Sequence, residues 1–196
     1  MRIKRLISAC LEENGYLLYQ REGGNGWIID PGDRADRFLA ELKALRLRPA
    51  AILLTHHHYD HVGAVDEIVR RTGCPIYIHR LDLAPLKKEA AAIEDGHCFD
   101  IDGEELRTIL TPGHTHGSVC YYAAQSRLAF TGDTIFNVDL GRTDLEDGSP
   151  REMAASIRRI IAGWDDDIEI WPGHGDHCSM RAVRRQNREY LDLVGR

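Results

Sequence analysis

The sequence predicts a layered α/β fold with mixed sheets. Two observations predict it: segments with strand and helix patterns alternate along the 196 residues, and several short strands also follow one another directly. A simple doubly wound sheet would show the alternation alone. A hydrophobic share of 43% and a charged share of 29% are typical of a globular chain with a buried core. At this length, we expect residues 1–196 to form one domain.

The first half of the chain begins with strand patterns. Aromatic and β-branched residues at 16–20 and 27–29 predict two strands, separated by the turn-forming residues 23–26. Apolar residues at helical spacing then predict a helix over 34–46. The continuous apolar run 50–54 predicts a strand that is buried on both faces. We expect the next elements to be a helix over 62–72, a strand over 75–79 and a helix over 80–93.

The second half has more strands than helices. We expect strands at 106–110, 119–123, 128–130 and 168–171, and helices at 153–162 and 180–194. Neither an internal linker nor a short-period repeat interrupts this order, which agrees with the single domain expected from the length.

Charge and composition exclude several classes of protein. The net charge of −6 argues against a nucleic-acid partner. No apolar stretch approaches the roughly 20 residues that cross a bilayer, and Glu12 and Glu13 come too early for a signal peptide, so we expect no membrane partner. Five cysteines without a CxxC pair predict neither a zinc ribbon nor a disulfide framework. A cytoplasmic location follows, and the oligomeric state stays open.

Histidine carries the functional signal. Eight of the ten histidines fall within residues 55–63, 112–118 and 172–177. Each predicted strand before these segments, and the strand 128–130, ends in a short turn that presents a histidine or an aspartate. The carboxyl ends of strands in α/β folds converge on one cleft. The candidate ligands are therefore His56, His58, Asp60, His61, His114, Asp133 and His174.

This ligand set indicates two metal ions. Five imidazoles and two carboxylates are too many for one ion with an open coordination position. Imidazole with carboxylate, and without thiolate, favours zinc, with iron or manganese as alternatives. Two divalent ions with two carboxylates and one hydroxide would leave a net positive charge, which favours an anionic small-molecule substrate.

The motifs resemble those of the metallo-β-lactamase superfamily. THHHYDH, from Thr55, resembles its HxHxDH signature, and PGHTHGS, TGDT and PGHG follow in the family's order. The run FTGDTIFNVDLGRTDLEDGS is most similar to small, single-domain glyoxalase II-like (hydroxyacylglutathione hydrolase-like) proteins. The resemblance spans about residues 14–178. It implies a four-layer αββα sandwich in which Asp133 bridges two ions, one held by His56, His58 and His114, the other by Asp60, His61 and His174.

The resemblance also implies an activity. A hydroxide bridging the two ions would cleave a thioester or ester, most simply a small hydroxyacyl glutathione thioester, and Asp60 would orient that hydroxide and move its proton. Full-length glyoxalase II enzymes carry an added C-terminal helical domain that contacts glutathione; the present sequence ends one helix after PGHG, so we expect no such contact here. The alternatives are a persulfide dioxygenase-like mononuclear iron oxidoreductase, a lactonase, or a non-catalytic metal-binding module.

Four residues near the motifs are not predicted ligands. Asp30 follows a strand and either forms a turn or supports the site from beneath. His57 lies between two predicted ligands, and we expect it to support the site or face solvent. We expect His116 at the rim. Arg142 either anchors its loop through Asp144 or faces an anionic substrate.

Overall fold

The computed structural model of the protein describes residues 1–9 and 11–195. Twelve strands and seven α-helices are described, with a short 3₁₀ helix after the fifth α-helix. In chain order they are β1 (Arg2–Ile7), β2 (Asn14–Tyr19), β3 (Asn25–Ile29), α1 (Ala35–Ala44), β4 (Arg48–Leu53), α2 (Tyr59–Val62), α3 (Val65–Thr72), β5 (Ile76–His79), α4 (Arg80–Leu86), β6 (Ala91–Ile93), β7 (Cys98–Ile101), β8 (Glu104–Leu110), β9 (Val119–Ala123), β10 (Leu128–Gly132), α5 (Pro150–Arg159), β11 (Glu169–Pro172), β12 (Cys178–Ser179), α6 (Met180–Gln186) and α7 (Arg188–Val194).

The strands form two mixed sheets of six. The first has the order β1-β2-β3-β4-β5-β6, and the second has the order β12-β11-β10-β9-β8-β7. In the first sheet, β3, β4, β5 and β6 run parallel to one another. In the second sheet, the only described parallel pair is β10 with β11. Strands that follow one another directly in sequence predicted sheets with both parallel and antiparallel pairs, and this prediction is confirmed.

Three apolar clusters separate four layers. One lies between the sheets and includes Tyr16 and Leu53 of the first sheet and Phe130 of the second. A second packs the outer face of the first sheet against α1 and α3, where Phe38 and Ile68 are fully buried. The third packs the other sheet against α5, α6 and α7. The predicted αββα sandwich is confirmed; that residues 1–196 form a single domain stays a prediction.

The parallel strands bring the polar motifs to one edge of the sandwich. Asp30 and Thr55 follow β3 and β4, while Asp133 and His174 follow β10 and β11. Backbone hydrogen bonds that join the sheets there include one from Val119 N–H to the Thr55 carbonyl (2.9 Å) and one from Asn14 N–H to the Gly173 carbonyl (2.7 Å). The ends of four strands from two sheets therefore face one another.

One predicted helix was partly wrong. The helix predicted over 80–93 ends at Leu86, where Lys87 adopts a left-handed φ of 55°. Residues 91–93 instead form β6, which pairs with β5, and the Ile93 side chain is buried between the sheets. Sheet pairing and burial outweigh the local helical pattern here. The helix predicted over 62–72 begins at Val65 as α3, and Val62 instead ends α2. The helix predicted over 180–194 is divided in two at Asn187, which caps α7.

Two findings concern membrane-spanning helices and the state of the cysteines. Among the described residues, no helix combines the length and apolar character needed to cross a bilayer. Cys74, Cys98, Cys120 and Cys178 are free thiols. Cys10 lies outside the described residues.

Candidate metal centre

The first group of predicted ligands consists of His56, His58 and His114. One ligand atom from each ring lies within 4.8 Å of the others. The Nδ1 atom of His56 contacts the Thr55 hydroxyl (3.0 Å), and Nδ1 of His114 contacts the Arg142 carbonyl (2.8 Å). These contacts fix both rings and leave Nε2 for the site. The Nδ1 atom of His58 lies 2.8 Å from Nε2 of His114.

The second group consists of Asp60, His61 and His174. Its ligand atoms also lie within 4.8 Å of one another. Asp60 and His61 lie on α2, and an Asp60 oxygen is 3.4 Å from Nε2 of His174 and 3.9 Å from Nε2 of His61. The Nδ1 atom of His61 contacts a carboxylate oxygen of Asp30 (3.1 Å), which directs Nε2 towards the other two ligands.

Asp133 lies between the two groups. Its Oδ1 atom is 3.5 Å from Nε2 of His61. Its Oδ2 atom is 3.5 Å from Nε2 of His114 and 3.6 Å from Nε2 of His174. A carboxylate with oxygens facing both groups can contribute a ligand to two cations at once.

Unpaired buried atoms indicate that cations fit here. The Nε2 atoms of His56 and His61 and Oδ1 of Asp133 are buried and find no hydrogen-bond partner among the described residues. A buried polar atom without a partner is costly, and bound cations would satisfy these three. The structure thus brings all seven predicted ligands together; that they hold two ions stays a prediction.

The two groups have opposite electrostatic character. Burial and the neighbouring imidazoles lower the pKa of His56 well below its usual range, and burial and His114 lower the pKa of His58 to about 4. Burial would also lower the pKa of His61, but the carboxylates of Asp133 and Asp30 outweigh it and raise that pKa to about 10. His56 and His58 are therefore neutral imidazoles at neutral pH, as metal binding requires.

Asp60 is an ionised carboxylate. Burial opposes its ionisation, but its contact with His174 and the nearby His61 lower its pKa to about 2. Burial likewise opposes charge on His174, but Asp60 and Asp133 raise its pKa. At neutral pH, Asp60 is able to bind a cation or accept a proton.

Asp30 supports both groups from beneath. It adopts a φ of 45°, in the left-handed region that aspartate tolerates better than most residues. Its carboxylate accepts hydrogen bonds from the Thr55 N–H and hydroxyl and contacts His61. Of the two roles considered for Asp30, a turn or support beneath the site, the structure therefore shows the second.

Asp82, a buried residue of α4, was not predicted from the sequence. Its carboxylate accepts hydrogen bonds from His57 N–H (3.1 Å), the Thr115 hydroxyl (2.8 Å) and Gly117 N–H (2.7 Å), and contacts the His57 ring (2.9 Å). Asp82 therefore joins the loop of His56 and His58 to the loop of His114. A single aspartate in a charged helix gave no signal of this role.

Glu13 is a second buried carboxyl group near the ligands that no sequence motif predicted. Burial raises its pKa to about 10, and an Oε1 atom lies 4.0 Å from Nδ1 of His61. Its position follows from a backbone bridge with His174 across the two sheets. Because that bridge depends on tertiary structure, no local pattern could have identified Glu13.

An open cavity of about 760 Å³ lies over the ligands. Five of the seven predicted ligands line it, and its outer part includes Arg142. The Arg142 guanidinium forms two hydrogen bonds with Asp144 (2.7 and 2.8 Å), so it anchors its loop. His116 is exposed beside Glu152 and does not line the cavity, and His57 lies against Asp82 and Asp147.

Replacing Asp82 with asparagine should lower the free energy of unfolding by about 1–3 kcal/mol and weaken binding of one metal ion, because an amide N–H₂ would face N–H donors. Hydrogen bonds from His57, Thr115 and Gly117 outweigh burial and hold the pKa of Asp82 below its usual range. Its stabilisation is therefore present above the pKa of the unfolded chain and lost as the pH falls through the folded value. The difference in unfolding free energy between wild type and D82N should shrink in acid.

Chemical denaturation at several pH values and metal titration measure this effect. The matched control is D192N, on the exposed side of α7. Unchanged stability and unchanged affinity for both ions in D82N would show that Asp82 does not position the loops.

Replacing Gly173 with alanine should disrupt the site without removing a ligand. The added Cβ would lie 2.2 Å from Oδ1 of Asp133 and 2.7 Å from a ring carbon of His61. We expect G173A to bind at most one ion per chain. G163A is the control, because its Cβ meets nothing within 4 Å. Metal analysis after gel filtration compares them, and two tightly held ions in G173A would refute the expected crowding.

Fold and motifs together define the family. The chain belongs to the metallo-β-lactamase superfamily, whose family model matches residues 10–174. The resemblance inferred from the motifs is confirmed, and metallo-hydrolases are among the relatives. Similar proteins include the probable metallo-hydrolase YqgX of Bacillus subtilis, 31% identical over 95% of this chain and 96% of that protein. Hydroxyacylglutathione hydrolase GloC of Haemophilus influenzae is 29% identical over 95% of this chain and 97% of its own.

Solved structures agree with this assignment. BLEG-1 B3 metallo-β-lactamase has a TM-score of 0.86 and 30% identity, over 95% of this chain and 98% of that chain. TTHA1623, solved in a di-iron-bound form, has a TM-score of 0.84 and 30% identity, over 94% of this chain and 98% of that chain. The His and Asp clusters of the present chain indicate divalent metal ions, as expected for this fold.

Proposed function

We propose that this protein is a hydrolase that uses two divalent metal ions to cleave a small thioester or ester, with a hydroxyacyl thioester as the substrate class. The position of Asp133 carries the proposal, because its carboxylate lies within 3.6 Å of Nε2 atoms from two separate groups of three ligands. Similarity to hydroxyacylglutathione hydrolases supports the substrate class. One ion would be held by His56, His58 and His114, and the other by Asp60, His61 and His174.

Hydrolysis of the thioester or ester bond needs few groups beyond these ligands. When bound, two such ions polarise a carbonyl and lower the pKa of a shared water towards about 7. Water adds to the acyl carbon, the C–S or C–O bond breaks, and the products are a carboxylic acid and a thiol or alcohol. The Asp60 carboxylate would take the proton of that water and pass it to the leaving sulfur or oxygen, since Asp60 is ionised and lines the cavity.

Zinc is the metal we propose. Imidazole and carboxylate ligands without thiolate suit zinc, iron and manganese, so iron and manganese are the alternatives. The di-iron form of TTHA1623 makes iron the first of these to test. We propose a small-molecule substrate, with neither a nucleic-acid nor a membrane partner. We also propose a cytoplasmic location, which suits the four free thiols of the described residues.

Parallel assays with metal counts test this function. S-lactoylglutathione, a homoserine lactone and glutathione persulfide would be offered to protein loaded with zinc, iron or manganese. We expect thioester or ester hydrolysis with two ions per chain. Persulfide oxidation with a single iron would instead identify a dioxygenase, and ion binding without turnover of any of the three would indicate a non-catalytic metal-binding module.

A further inference from the structure

Exposed apolar side chains are concentrated at the mouth of the cavity over the ligands. Six large apolar side chains of the described residues are exposed, and four of them line this cavity. These four are Leu11, Tyr59, Val138 and Leu145, with Tyr59 71% exposed. Single exposed apolar residues are ordinary, but a cluster around a concave site is typical of a binding surface.

Among the residues that the structure describes, the same mouth has no unpaired lysine or arginine. Arg142 is the one lysine or arginine among the described residues that line the cavity, and its guanidinium is held by Asp144. Asp176 pairs with Arg5 (3.0 Å), and Asp139 adds an exposed carboxylate. Outside the metal ligands, the mouth therefore combines apolar surface with two charge pairs and one further negative charge.

This surface poorly matches the thiol part of a glutathione thioester. Glutathione carries two carboxylates at neutral pH, and proteins bind carboxylates with arginine, lysine or backbone N–H groups. The mouth offers such a group no unpaired cation and one unpaired carboxylate, that of Asp139, whereas an aliphatic or aromatic group would bury apolar surface on both sides. The bound ions would attract the acyl carbonyl in either case, so the mouth selects the leaving group.

We infer that the substrate is a thioester or ester whose leaving group is uncharged and apolar, held by Leu11, Tyr59, Val138 and Leu145. This inference rests on the proposed hydrolytic function and narrows its substrate class. The reaction is unchanged: water supplies OH to the acyl carbon and H to the leaving sulfur or oxygen.

Two thioesters with the same acyl group test the inference. S-lactoylglutathione and the lactoyl thioester of benzyl mercaptan differ only in the thiol. We expect kcat/KM to be at least about tenfold higher for the benzyl thioester, mainly through a lower KM. Equal or faster cleavage of S-lactoylglutathione would overturn the inference and leave the hydrolase intact.

Binding without turnover separates this inference from the proposed function. Each thiol would also be offered as a thioether in which a methylene replaces the acyl carbonyl, and its affinity for metal-loaded protein measured by calorimetry. We expect the benzyl thioether to bind at least about tenfold more tightly than the glutathione thioether. Tighter binding of the glutathione thioether overturns the inference even if neither thioester is cleaved.

A lysine introduced at the mouth tests the same inference, and a lysine introduced elsewhere on the surface is its control. V138K should lower kcat/KM for the benzyl thioester and raise it for S-lactoylglutathione, with the metal count unchanged. I7K is the control, because Ile7 is also an exposed apolar residue but does not line the cavity. The same shift in I7K, or no shift in V138K, would show that the mouth does not select the leaving group.

Discussion

Replacing Asp133 with alanine should release at least one ion per chain and reduce hydrolysis at least about 1,000-fold. The Asp133 carboxylate lies within 3.6 Å of His114 in one ligand group and of His61 and His174 in the other, so its loss weakens both sides and leaves no shared ligand between them. A bound metal stabilises transition-state charge by several kcal/mol, and each 1.4 kcal/mol is about tenfold in rate. Elemental analysis per chain and steady-state rates measure the two effects.

The control for D133A is D192A, which removes an exposed aspartate of α7, away from the cavity. Circular dichroism of both variants checks that the fold persists. Two tightly held ions in folded D133A would refute the bridging role, even if the rate fell.

Removing the metal by dialysis against a chelator should abolish hydrolysis, and added zinc or manganese should restore it. The described residues that line the cavity include no serine or cysteine to serve as a nucleophile. Metal-free protein should also unfold at a lower temperature, because bound ions stabilise the folded state by mass action. Activity and thermal unfolding would be followed across one metal titration.

The melting temperature checks whether the ions that restore activity bind to the folded site. If activity and melting temperature rise together and level off at two ions per chain, the ions bind the folded site. Retained hydrolysis in protein shown by elemental analysis to be metal-free would end the proposal of metal-driven catalysis.

The sequence predicted the layers because its signals there are local and repeated. The run 50–54 is continuous and apolar, and the corresponding strand β4 is buried at Ile52 and Leu53. The helix predicted over 80–93 was partly wrong because Ile93 gains its burial from a sheet partner that is distant in sequence. Local periodicity cannot report such pairing.

The seven candidate ligands were predicted because each lies in a short motif at the end of a strand. The structure brings them together, while their metal occupancy stays a prediction. Asp82 and Glu13 were missed for a common reason. Each is a lone carboxyl group whose partners come from other segments of the chain, such as Gly117 for Asp82 and His61 for Glu13.

Anomalous diffraction from crystals of the zinc-loaded protein tests the central claim most directly. We expect two peaks per chain, roughly 3.5–4 Å apart. One should lie within about 2.2 Å of ligand atoms of His56, His58 and His114, and the other equally close to Asp60, His61 and His174. Asp133 should contact both peaks. A map without two such peaks after zinc soaking, with the imidazoles turned away from one another, would contradict the account.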